Sequence, residues 1–74
     1  MIPYKDIDHD SGVATYEPGN TYLIAKFKDG WSYEYTYSNA GASHVENMKR
    51  LAVSGDGLSA YINKHVRKAY SRKF

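Results

Sequence analysis

Cysteine is absent from all 74 residues. That excludes a disulfide framework and any thiolate metal site. Proline occurs only twice, at Pro3 and Pro18, and glycine six times, so the chain is neither collagen-like nor low-complexity. Long apolar runs are missing as well. The stretch around Leu23 is far too short to span a bilayer, and no apolar segment follows Met1–Asp6 as a secretory leader requires. The expectation is a soluble, cytoplasmic protein with no membrane contact. Among His9, His44 and His65, no two stand four residues apart, and none has a carboxylate at a ligand-like spacing. No nucleophile has an orienting base nearby. These gaps predict a protein without cofactor or metal and without enzymatic activity.

The most informative scarcity is of acids at one end. Lys64 to Phe74 carries Lys64, Arg67, Lys68, Arg72 and Lys73 and no Asp or Glu, while the other 63 residues hold five Lys/Arg against eight Asp/Glu. A net charge of +2 thus hides a basic end on an acidic body. A local positive field attracts polyanions.

A chain of this size forms one small domain and buries only roughly 60% of its unfolded surface. Its stabilising side chains must be the eleven aromatics, eight of them tyrosine. Tyrosine buries a large ring but needs a partner for its hydroxyl, which suits the rim of a small core.

Residues 1–12 read as a polar N-terminal leader or edge segment. Residues 13–70 read as the domain and 71–74 as a basic tail. Val13 to Tyr16 suits a short strand. Glu17-Pro18-Gly19-Asn20 has turn chemistry. Residues 21–28 and Trp31 to Tyr37 read as two strands of a hairpin. A two-residue Asp29-Gly30 turn would place lysines on the aromatic face. A three-residue loop, Lys28-Asp29-Gly30, instead sets Phe27 opposite Trp31, Ala25 opposite Tyr33 and Leu23 opposite Tyr35. Register follows the buried face, so the three-residue loop is predicted, with Gly30 left-handed.

Two helices should follow. Ser43 and Glu46 have capping-box spacing, and Val45, Met48, Leu51 and Ala52 recur at helical intervals. Ser54-Gly55-Asp56-Gly57 stops the first helix. In the second, Leu58, Tyr61, Ile62, Val66 and Ala69 fall within an arc of about 120°. His65 lies inside that arc and reads as a half-buried structural residue. The opposite side holds Lys64, Arg67 and Lys68 as a solvent-facing basic stripe. The predicted architecture is α+β: a small antiparallel three-stranded β-meander followed by two helices packed on one sheet face.

Other patterns are weaker. Asp6, Asp8, Asp10 and Glu17 match positions 1, 3, 5 and 12 of a calcium loop, but Ser11 replaces the glycine and neither flanking helix can form. A solvated acidic leader is the better reading. Ser54-Gly55-Asp56-Gly57 precedes a helix but lacks the lysine of a phosphate loop. The tyrosines could stack bases, yet they share their face with Leu23 and Phe27 and read first as core.

Phe27 with Gly30, Tyr33-Glu34-Tyr35, and the run Tyr61-Ile62-Asn63-Lys64-His65-Val66-Arg67 with Tyr70 resemble the KTSC domain. That small module is named after a C-terminal extension of some lysyl-tRNA synthetases and also occurs in short bacterial and phage proteins. The resemblance covers about residues 13–70. Ala40-Gly41 stands where that family starts a helix with proline, and the segment after Ser54 is about two residues longer. The resemblance implies Asn63, Arg67 and Tyr70 as motif residues of unassigned role; the family's function is unknown, and RNA binding is suggested for it only by analogy with the synthetase attachment. The expected function is a small RNA-preferring nucleic-acid-binding module. Asn63, Lys64, Arg67, Lys68, Arg72 and Lys73 form its contact set. The alternative is a protein-interaction or accessory module using Trp31 and exposed tyrosines.

Overall fold

A hairpin with one buried face has one register that works, and the chain adopts it. In the computed structural model, which describes residues 2–7 and 12–74, strand β3 (Tyr22–Phe27) pairs antiparallel with β4 (Ser32–Thr36). Leu23 lies opposite Tyr35 and Ala25 opposite Tyr33. The Phe27 N–H donates to the Trp31 carbonyl at 2.8 Å, so the loop is the three residues 28–30. Gly30 closes it at φ 98°, in the left-handed half of the map where a side chain is disfavoured.

Strand β2 (Val13–Pro18) flanks β3, with a register shift between Val13 and Thr15. Val13 and Tyr16 are three residues apart and would face opposite sides of a regular strand. The extra residue turns both inward, where Val13 is 1% and Tyr16 5% exposed.

The sheet has five strands rather than the expected three. Two short edge strands complete it: β1 (Ile2–Pro3) beside β2, and β5 (Arg72–Lys73) beside β4. The α+β class and the antiparallel order hold; the strand count does not. Residues 71–74 supply the backbone partners that β4's outer edge lacks. Ser71 N–H donates to the Glu34 carbonyl at 2.6 Å, and Ser32 and Phe74 exchange bonds of 2.7 and 2.8 Å. Pairing of this kind protects an otherwise open edge.

The N-terminal segment is tied into the domain. Ile7 N–H donates to the Gly55 carbonyl, Tyr4 is buried, and its hydroxyl accepts the Leu58 N–H at 3.2 Å. That bond satisfies one of the free donors of a helix start. Asp6 pairs with Lys28 at 2.9 Å. Two further members of the calcium-like pattern, Asp8 and Asp10, lie with His9 outside the described residues, and the fourth, Glu17, stands in strand β2.

Helix α1 (Ala42–Ser54) buries Val45, Met48 and Ala52 against β3 and β4. The expected capping box does not form. The helix begins after Gly41, which has no side chain to cap it, so Ser43 already lies within the first turn; Glu46 accepts from Tyr37 at 2.5 Å and from Lys49 at 2.8 Å. The Lys49 bond, then the Tyr37 bond, holds the Glu46 carboxyl below its usual range. Gly55, left-handed, ends the helix and donates to the Leu51 carbonyl, so Ser54-Gly55-Asp56-Gly57 acts as a helix stop.

The second helix is short. Helix α2 (Leu58–Tyr61) runs directly into a π turn (Ile62–Val66). Leu58, Ile62 and Val66, at 0%, 3% and 1% exposure, form a stripe that steps by four residues. The wider turn keeps this i, i+4 line facing the sheet and swings neighbouring residues to either side. The basic end is therefore not one helical face. It divides between the π turn and the edge strand β5.

Candidate functional site

The π turn meets only part of the sheet, and a cavity of about 270 Å³ opens along the seam. Phe27, Tyr33 and Tyr35 line it from the sheet, Ile62 and Asn63 from the π turn, Arg67, Lys68 and Tyr70 from the residues after it, and Asp29 from the hairpin loop. Asn63 and Arg67 are four residues apart, so the step that buries Ile62 and Val66 also stacks these two on one flank.

The aromatic wall is continuous. Phe27 meets Tyr33 edge-on at 5.4 Å between centroids, and Tyr33 meets Tyr70 at 5.1 Å. Such contacts hold rings in fixed orientations. Tyr35 is 1% exposed, yet its hydroxyl bonds to no protein group. Among the described residues no sealed-off side-chain N or O lacks a partner. The hydroxyl therefore reaches the cavity that the ring lines. Burial, followed by the neighbouring Tyr33 and Tyr70 hydroxyls, raises its pKa far above the usual 10.0 and keeps it protonated.

The six predicted contact residues separate into three groups. Asn63, Arg67 and Lys68 come together at the cavity, and all three are exposed. Among the described residues none of them forms a side-chain hydrogen bond or ion pair, and neither does the adjacent Lys64. Lys64 is exposed on the same turn but does not line the cavity. The third group, Arg72 and Lys73, stands on β5. Arg72 is held by Glu34 at 3.1 Å and lies 4.5 Å from the Phe74 ring centroid. Lys73 sits 4.4 Å from the centroid of Trp31 and 5.6 Å from that of Tyr33. Phe27, Tyr33 and Tyr35 read from sequence first as core, with base stacking by the tyrosines as the lesser reading. Their alternation on the aromatic face was the signal that they could also line a site.

His65 is not half-buried. It is exposed, and stacks 4.5 Å from Tyr61 and 5.4 Å from His44. The π turn rotates it off the apolar stripe toward α1. Tyr61 is fixed by His44 Nδ1 at 2.7 Å and by the Asn47 amide at 3.2 Å. Among the described residues no cluster of three His, Cys, Asp or Glu could hold a metal, and no helix is long and apolar enough to cross a membrane.

Comparison with protein-family models, curated proteins and solved structures gives no match to this chain.

Proposed function

We propose that this domain is a small, non-enzymatic nucleic-acid-binding module, RNA-preferring, whose contact surface is the seam between sheet and π turn. The observation that carries the reading is the placement of Asn63, Arg67 and Lys68, unpaired and exposed, at the mouth of an aromatic-lined cavity. Single-stranded nucleic acid needs this combination: cations for the backbone and π faces for the bases. Lys64 extends the cationic mouth, while Lys73, held over the Trp31 ring, contributes less. Arg72, already paired, contributes least. The test is titration of the protein with a short unstructured RNA at low salt, followed by amide signals. Shifts at Asn63, Arg67, Lys68 and Tyr70 are expected; unmoved signals across residues 63–74 refute the proposal.

Protein docking is favoured by a different observation. Trp31 and Phe74 remain 49% and 50% exposed at one end of the sheet. This reading predicts an association that survives nuclease and high salt and is lost in Trp31→Ala.

A further inference from the structure

Building on that reading, we infer that the cavity is a pocket for the base of a single unpaired nucleotide, whose phosphate rests on Arg67 and Lys68 at the rim. The cavity has two chemically distinct levels. Its walls are the Phe27, Tyr33 and Tyr70 rings with Ile62, and the Tyr35 hydroxyl, not sealed off and without a protein partner, opens onto it. Its rim carries the exposed cations. A phosphate drawn inside would shed its hydration against apolar rings, and burying a charge without full compensation is expensive. Asp29, exposed like the cations, stands at the rim and disfavours an anion on its side of the cavity. A nucleobase fits better on each count. It is neutral and flat, it stacks on aromatic rings, and its edge offers hydrogen-bond groups to the Tyr35 hydroxyl and the Asn63 amide. An exocyclic amine can donate to Asp29. The volume, about 270 Å³, lies just below the range of roughly 300–1,000 Å³ usual for drug-sized ligands, as expected for one base.

The test compares AMP, ribose 5-phosphate and inorganic phosphate on the unaltered protein, with the tyrosine ring signals as readout. AMP should bind about 5- to 150-fold more tightly than ribose 5-phosphate, the factor that base–aromatic stacking corresponds to. It should also move the Tyr33, Tyr35 and Tyr70 ring signals, whereas inorganic phosphate should leave Tyr35 unmoved. Tyr35→Phe keeps the ring and should weaken AMP about 2- to 10-fold without affecting ribose 5-phosphate. Asn63→Ala, at an exposed position, is the second variant and should act in the same direction. Equal affinity for AMP and ribose 5-phosphate overturns the base pocket, and so does a Tyr35 ring signal that answers phosphate as strongly as AMP. A short RNA that binds while Tyr35 stays silent removes the pocket but leaves the RNA-binding reading standing. An RNA that does not bind at low salt removes that reading.

Discussion

The division of the basic end into free and engaged cations has a consequence for salt dependence that can be worked out in advance. Each phosphate neutralised on a single strand contributes about −0.7 to the slope of log K against log salt. Lys64, Arg67 and Lys68 have no acidic partner among the described residues, so each is available to a phosphate. Three such contacts give a slope of about −2, and affinity falls roughly 18-fold between about 50 and 200 mM salt. Replacing Arg67 and Lys68 with alanine leaves one contact, a slope of about −0.7 and a fall of roughly threefold. Arg72→Ala should leave the slope unchanged, because that guanidinium is already held by Glu34 at 3.1 Å. Its removal instead forfeits an exposed ion pair, worth at most about 1 kcal/mol of stability. Fluorescence anisotropy with a labelled short RNA over a salt series measures all three slopes. The reasoning fails if Arg72→Ala flattens the slope as much as Arg67→Ala does, or if the double variant keeps the parent slope.

Three further outcomes follow from the fold. Leu58, fully buried where α2 begins, should cost about 2–5 kcal/mol on replacement by alanine, measured by urea denaturation. Gly55→Ala should destabilise more than Gly30→Ala, as thermal melts can show. Both glycines have positive φ, but an added Cβ at Gly55 meets the Lys5 Cβ at 2.6 Å, while at Gly30 it meets nothing within 4 Å. Tyr35 binds its proton more tightly folded than unfolded, so its contribution is complete below the unfolded value near 10.0 and is lost as pH rises beyond it. Stability should fall with alkalinity above that point, less steeply in Tyr35→Phe, and one tyrosine should ionise only as the domain unfolds, as phenolate absorbance reports.

Sequence reasoning succeeded where burial forces a choice. The hairpin loop was legible because only the three-residue turn places Leu23, Ala25 and Phe27 on the face of Tyr33 and Tyr35. It failed where backbone demand, not side-chain pattern, decides the structure. Arg72 and Lys73 show no alternation and read as tail. They form β5 because the outer edge of β4 needs backbone partners, which Ser71 and Phe74 help to supply. The π turn was hidden by the assumption of 100° per residue. Leu58, Ile62 and Val66, each four apart, give no sign of it, because that spacing shares a face on an α-helix as well. That one assumption misplaced His65. The aromatic side of the cavity was read as core. For the Tyr35 ring that is correct; its hydroxyl, which the hairpin pattern alone cannot locate, is what makes the position a site residue as well.

The same anatomy changes what the charge asymmetry means. Net charge counts Lys64, Arg67, Lys68, Arg72 and Lys73 as equivalent, but the fold does not use them equally. Arg72 offsets Glu34 and covers Phe74, and Lys73 lies over Trp31, so both help to secure the strand that closes the sheet. A ligand phosphate would have to compete with those contacts. The remaining three crowd onto residues 64–68, in the π turn and just after it, beside an open seam where Asp29 stands but forms no ion pair with them. Concentrating free cations beside a partly apolar cleft strengthens their field, because the low-dielectric walls screen it less than water does. A polyanion is therefore drawn to one edge of the domain and not to its whole C-terminal end. It arrives with its bases next to the tyrosine rings, so electrostatic capture and aromatic reading act at the same place.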